Sequence, residues 1–280
     1  MSGYGALTST RPRGRSIEAG HDGGGPRSNP LLLASAADAD EAGEALLAGA
    51  DIVDLKAPDR GILGACDVRT LSDAAAIRRR LAPGRPLSAA LGAVLVARGA
   101  ARADDIAHFA ATAARLGFDY LKAGLDGIAD GREAAALLRP VAAAARSAAS
   151  GTRLIAASYA DATAVGALAP ADLPAAAAAA GFDGCLLDTA VKDGRGLLDH
   201  LAIAGVALFV RDCHARGLLA AVAGSIGASD LAAVVAIGPD IIGARGALCS
   251  GGRRGRLDGA RVREFRAAIR SASPHPPSIA

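Results

Sequence analysis

Three lysines stand apart from every other cation in this 280-residue chain. Lys56, Lys122 and Lys192 are the only ammonium side chains among 31 basic residues, the rest being arginine. A guanidinium stays protonated at any ordinary pH, whereas an ammonium gives up its proton when it is desolvated or crowded by another cation. Only lysine can therefore act here as an amine nucleophile or general base. Two carboxylates stand out beside them in sequence: Asp54 precedes Lys56 in DIVDLKAP, and Asp188 precedes Lys192 in LLDTAVKDG. Ammonium groups gathered in a low-dielectric site repel one another, which leaves free amine near neutral pH and permits attack on a carbonyl to give a Schiff base. The plainer reading of Asp54 and Lys56 is an ion pair that plugs a core. Three lysines at comparable places, with none elsewhere, favour chemistry.

These side chains need a scaffold, and the hydrophobic pattern supplies one. Eight apolar runs alternate with alanine-rich helical segments: 31–35, 51–56, 87–92, 118–124, 153–159, 182–188, 218–224 and 240–246. Several helical segments end in glycine shortly before the next run, at Gly49, Gly117, Gly181, Gly217 and Gly238, where a helix commonly stops. Eight strand and helix units of about 30 residues predict an α/β fold, a (β/α)8 TIM barrel in a single domain. A doubly wound sheet is the alternative, but no GxGxxG follows the first strand. The barrel domain is expected over 30–272, with disordered segments at 1–29 and 273–280, which are polar and lack any hydrophobic period.

Barrel enzymes carry their sites at the C-terminal ends of the strands, and all three lysines fall there. Alternation along the second run puts Ile52, Asp54 and Lys56 on one side and Val53 and Leu55 on the other. The loops after the last two strands commonly bind phosphate on backbone N–H groups. Here they read AGSIGASD (223–230) and ARGALCSGG (244–252), which makes Gly224, Ser225, Arg245 and Gly246 candidate phosphate ligands. Turns in a glycine-rich protein would look similar. Tyr159 and Asp161, in SYADA, are placed to line the site or to support it.

Composition excludes several classes. Net charge is only +3, and aromatic residues make up 3% of the chain, so its basic clusters lack the stacking surface of a nucleic-acid binder. Cys66, Cys185, Cys213 and Cys249 form no CxxC pair and the histidines are scattered, so no metal site is expected. Reduced thiols and no signal-like segment suggest a cytoplasmic protein, and the longest apolar stretch, 217–238, is too broken by polar residues to span a membrane.

DIVDLKAP, GFDYLKAGL, SYADATAVGAL, LLDTAVKDG, AGSI and GARGALCSGG resemble segments of the (5-formylfuran-3-yl)methyl phosphate synthases, across residues 31 to about 252. The resemblance implies a Schiff-base barrel enzyme that condenses two molecules of glyceraldehyde 3-phosphate, with loss of phosphate and water, for a methanofuran-type one-carbon carrier. It further implies Lys56 as the Schiff-base lysine, Asp54 as its neighbouring acid or base, and Lys122, Asp188 and Lys192 as the rest of the catalytic set. No cofactor is called for, and a homo-oligomer that takes a phosphosugar is expected. Another class I aldolase or triose-phosphate barrel, or a non-catalytic phosphosugar-binding protein, would share many of these features.

Overall fold

A computed structural model describes residues 29–93 and 101–272. The extension and tail expected at the two ends lie outside these residues, apart from Asn29. Eight parallel strands, β1 (Leu31–Ala36), β2 (Ile52–Leu55), β3 (Leu87–Ala93), β4 (Tyr120–Gly124), β5 (Arg153–Tyr159), β6 (Gly184–Asp188), β7 (Leu219–Val222) and β8 (Ile241–Ala244), pair in chain order, and β8 returns to β1 to close a barrel. The helices are α1 (Ala39–Leu47), α2 (Val68–Leu81), α3 (Ala101–Arg115), α4 (Gly131–Ala148), α5 (Leu173–Ala179), the single turn α6 (Leu197–His200), α7 (Ile203–His214), α8 (Ala228–Ile237) and α9 (Gly259–Ala272). After β8 a short antiparallel pair, β9 (Cys249–Ser250) and β10 (Arg256–Leu257), precedes α9. All eight expected strands are present in a (β/α)8 barrel. No helix among the described residues is long and apolar enough to cross a membrane.

The strands are buried on both faces, which is why they read as nearly unbroken apolar runs. Outward residues such as Val53, Leu55, Leu121 and Leu187 pack with the helices in the larger core. Inward residues such as Ile52, Tyr120, Ile155, Leu186 and Ile241 fill the barrel interior. Asp38, Asp67 and Asp130 cap α1, α2 and α4 by accepting hydrogen bonds from backbone N–H groups of the first turn.

A four-fold pattern at the base of the barrel fixes strand register. Before every even-numbered strand the chain reads Gly-x-Asp, at 49–51, 117–119, 181–183 and 238–240. Each of these glycines has a positive φ, between 74° and 90°, which reverses the chain out of the preceding helix at no steric cost. The aspartate then grips one residue of the preceding odd-numbered strand twice. Its backbone N–H donates to that residue's carbonyl, and its carboxylate accepts from the same residue's N–H. Asp51 holds Leu32, Asp119 holds Leu87, Asp183 holds Leu154 and Asp240 holds Ala220, with carboxylate contacts of 3.1, 2.9, 2.8 and 2.7 Å. A basic side chain backs each carboxylate: Arg266 at 2.7 Å from Asp51, Arg78 at 3.9 Å from Asp119, Arg146 at 3.1 Å from Asp183 and His214 at 2.9 Å from Asp240.

At the opposite, C-terminal edge, Glu41 on α1 is 4% exposed and accepts from Arg245 Nη1 at 2.8 Å and from the N–H groups of Ala37 and Leu257 at 2.7 and 3.1 Å. Burial opposes the Glu41 charge, but Arg245 and the two amides outweigh it and hold the carboxyl below its usual range. Its stabilising contribution is therefore complete above the ordinary carboxylate pKa and is lost as pH falls through the lowered value. Urea titrations should show that Glu41→Ala costs about 3–5 kcal/mol at neutral pH, because Arg245 is left buried and unpaired. They should also show Asp51→Ala costing about 1–3 kcal/mol through the unsatisfied Leu32 N–H, while Asp59→Ala, at an exposed position, costs little.

Candidate active site

Side chains at one, three and five residues beyond each basal aspartate point into the barrel, because strand side chains alternate. The third position is Asp54 on β2 and Lys122 on β4; the fifth is Lys56 just past β2, Asp188 on β6 and Arg245 just past β8. Lys56, Lys122, Asp188 and Lys192 line a single cavity at the C-terminal mouth, and Asp54 lies fully buried beneath Lys122. The structure thus brings the expected lysine and aspartate set together.

Two of the lysines are paired and one is not. Lys122 Nζ donates to Asp54 Oδ2 at 2.6 Å, and Ser35 Oγ donates to the same oxygen at 3.1 Å. Lys192 Nζ lies 3.1 Å from Asp188 Oδ1 and 2.8 Å from Thr189 Oγ1. Lys56 is 8% exposed, and among the described residues its amine has no hydrogen-bond acceptor and no carboxylate within 4 Å. Burial, first of all, brings its pKa down to about 8; Asp188 and Asp54 oppose the shift, while the charges of Lys122 and Lys192 add to it. Repulsion between ammonium groups, the expected cause, is secondary to desolvation. Burial also opposes the charges of Asp54 and Asp188, yet nearby lysines outweigh it and hold both carboxyls below their usual range.

The loop after β6 is held from beneath. Asp161, 8% exposed, accepts from the N–H groups of Ala190 and Val191 at 2.6 and 2.8 Å, and so fixes the segment that carries Asp188, Thr189 and Lys192. Tyr159 is fully buried and donates its hydroxyl to Asp126, away from the lysines. Both residues therefore support the site, and neither touches its ammonium groups.

The expected anion loops also face the cavity: Gly224, Ser225, Gly246 and Arg245 line it. Among the described residues the N–H groups of Ser225, Ile226, Gly227, Gly246 and Ala247 donate to no backbone or side-chain acceptor. Ser225 is the only non-glycine described with a positive φ, 52°, a strained conformation of the kind that collects at binding sites. Gly224 (φ 103°) is sterically required, because a Cβ there would lie 2.8 Å from Thr189 Cγ2 and 3.0 Å from Thr189 N. Arg245 differs from the expected phosphate donor. Its Nε donates to Arg253 O at 2.9 Å, Nη1 to Ser35 O and Glu41 Oε2 at 3.0 and 2.8 Å, and Nη2 to Gly255 O at 3.2 Å. Four of five N–H groups are thus spent on the protein, which makes Arg245 a strut.

Sequence reasoning missed Thr189, Arg253 and the loop between β2 and α2. That loop lies over the barrel mouth: Leu63 is 3% exposed and packs in the barrel interior with Leu33, Ile52 and Ile155, and Ile62 packs against the cluster of Tyr159 and Ala190. Cyanate labelling read by peptide mass spectrometry should show Lys56 reacting with a midpoint near pH 8. Asp188→Asn removes the largest charge that supports the ammonium and should move that midpoint down, whereas Lys122→Met removes a repelling charge and should move it up.

Comparison with known proteins shows the family to which the chain belongs. The family model described as 4-HFC-P synthase matches residues 32–266. The (5-formylfuran-3-yl)methyl phosphate synthase of Methanocaldococcus jannaschii is 40% identical over 238 residues, covering 84% of this chain and 98% of that protein. The synthase of the same name from Methanococcus maripaludis strain C5 is 39% identical, covering 84% and 97%. Among solved structures, orotidine 5'-phosphate decarboxylase from Pyrococcus horikoshii aligns with a TM-score of 0.57 at 11% identity, over 86% of this chain and 99% of that one. Phosphoribosyl anthranilate isomerase from Thermus thermophilus aligns with a TM-score of 0.53 at 14% identity, over 86% and 93%. At such identities these two likenesses speak for the barrel alone. With a family model spanning nearly the whole barrel and relatives near 40% identity, the chain belongs to the 4-HFC-P synthase family.

Proposed function

We propose that this protein is a lyase-type synthase that forms a Schiff base at Lys56 and joins two glyceraldehyde 3-phosphate molecules into (5-formylfuran-3-yl)methyl phosphate, with loss of phosphate and water. The observation that carries the proposal is the contrast among the lysines. Lys122 and Lys192 are each held by a carboxylate, while Lys56 is buried, unpaired and depressed to a pKa of about 8. A free amine is thus available near neutral pH at the one lysine that no group among the described residues holds.

In this reading Lys56 attacks the aldehyde carbon of one triose phosphate, and water leaves as the iminium forms. The iminium acidifies the neighbouring carbon, so that a proton can be removed and the resulting carbon nucleophile can attack the second triose. Lys122 with Asp54 and Lys192 with Asp188 form two amine and carboxylate relays that take up and return protons as hydroxyl groups and phosphate depart. The unoccupied N–H groups after β7 and at the start of the loop after β8 hold a substrate phosphate, which keeps the carbonyl near Lys56. The names of the relatives support this product for the present chain, and supply of a methanofuran-type carrier is the use proposed for it.

Incubation with glyceraldehyde 3-phosphate and borohydride, followed by peptide mapping, should give a reduced triose adduct on Lys56 and none in Lys56→Met. Ultraviolet absorbance should report a furan product, and Asp188→Asn should slow its formation about 10²–10⁴-fold. An adduct with an open-chain sugar phosphate as product would indicate a simple aldolase instead. No adduct would leave a phosphosugar-binding protein.

A further inference from the structure

Arg253, between β9 and β10, lines the same cavity as Lys56 and the free N–H groups of the β7 and β8 loops. Three observations set it apart from the other arginines. First, its position is built rather than accidental: the buried Arg245 holds Arg253 O at 2.9 Å and Gly255 O at 3.2 Å, which fixes the hairpin. The turn itself demands Gly255, since a Cβ there would fall 1.7 Å from Ser250 O. Second, the only hydrogen bond from the Arg253 guanidinium among the described residues runs from Nη2 to Gly61 O at 3.3 Å, so most of its donors are uncommitted. Third, Gly61 belongs to the loop whose Ile62 and Leu63 pack over and into the barrel mouth.

We infer that Arg253 is the cationic arm of the phosphate site and, through Gly61 O, the latch of the β2 to α2 loop. This deepens the proposed function and rests on its reading of the N–H groups as a phosphate cradle. A planar guanidinium has enough donors to meet a phosphate oxygen pair and a carbonyl together. Phosphate on the cradle orders the Arg253 side chain, and the ordered side chain fixes Gly61, so that one anion ties down the cover over Lys56. Arg245 acts through Arg253 and is a positioning residue. Burial lowers the Arg253 pKa, and an incoming anion offsets that cost.

The test is calorimetric titration of the full chain with inorganic phosphate, paired with amide hydrogen exchange across residues 58–64. Arg253→Met should weaken phosphate binding tenfold or more and Arg253→Lys less so, while Arg254→Met, which alters an exposed neighbour, should leave it unchanged. Phosphate should slow exchange in 58–64 in the wild type, and should not do so in Arg253→Met even at saturation. Equal phosphate affinity in wild type and Arg253→Met would overturn the inference and leave the cradle standing. Weakened affinity with slowing of the loop retained at saturation would overturn the latch. A wild type that binds no phosphate would overturn both the inference and the cradle on which it rests.

Discussion

The two-point grip of an aspartate on the neighbouring strand is the constraint on which the rest of the barrel depends. Side chains on a strand alternate, so a slip of one residue would turn Asp54 and Lys56 out toward the helices and bring Val53 and Leu55 inside. Hydrogen bonds of a parallel ladder are evenly spaced and resist such a slip only weakly by themselves. A carboxylate that can meet only one amide breaks the degeneracy. Four such grips, one at the base of each even-numbered strand, convert a hydrophobic pattern into a defined register. The charged cavity is the result, since its strand-borne members stand three or five residues above a grip.

Charge in that cavity is deliberately incomplete. Lys56, Lys122 and Lys192 face Asp54 and Asp188, so with the amines protonated and the carboxyls ionised these five groups carry one more positive than negative charge, and the Arg253 guanidinium adds to it. Buried pairs of this kind add little net stability, because desolvation consumes most of the attraction. The surplus cation is the group that burial presses toward neutrality. An anionic substrate would relieve the imbalance, and so the same arrangement that makes the amine available also favours a phosphate beside it.

Most of the architecture can be read from the chain because its signals are local. Apolar runs, the glycines that end α1, α3, α5, α7 and α8, and charges at strand ends all lie within a few residues of the structure they dictate. The basal grips were harder to see. Gly-x-Asp is inconspicuous in a glycine-rich sequence, and each carboxylate meets its amide 19 to 32 residues away. Arg245 looks like a ligand in the sequence because its acceptors lie in a distant part of the chain, Glu41 being 204 residues off. Arg253 was hidden among the many arginines, and Leu63 broke the expectation that a loop runs over the surface with polar side chains. Lysine scarcity, by contrast, pointed to three cavity residues with no structural help.

Glu41 also sets a condition on how the chain is made. It lies on α1 and leaves the ribosome long before most of its partners: only the Ala37 N–H is local, while Arg245 and Leu257 follow 204 and 216 residues later. Until those residues are synthesised the first helix must leave this carboxylate in water, or bury it at a cost that the growing chain cannot offset. Closure of β8 onto β1 and burial of Glu41 therefore belong to the same late event. A nascent chain that still lacks β8, Arg245 and the β9 and β10 hairpin presents an open sheet with exposed strand edges, and so it is while these elements are missing that this barrel most needs protection from aggregation.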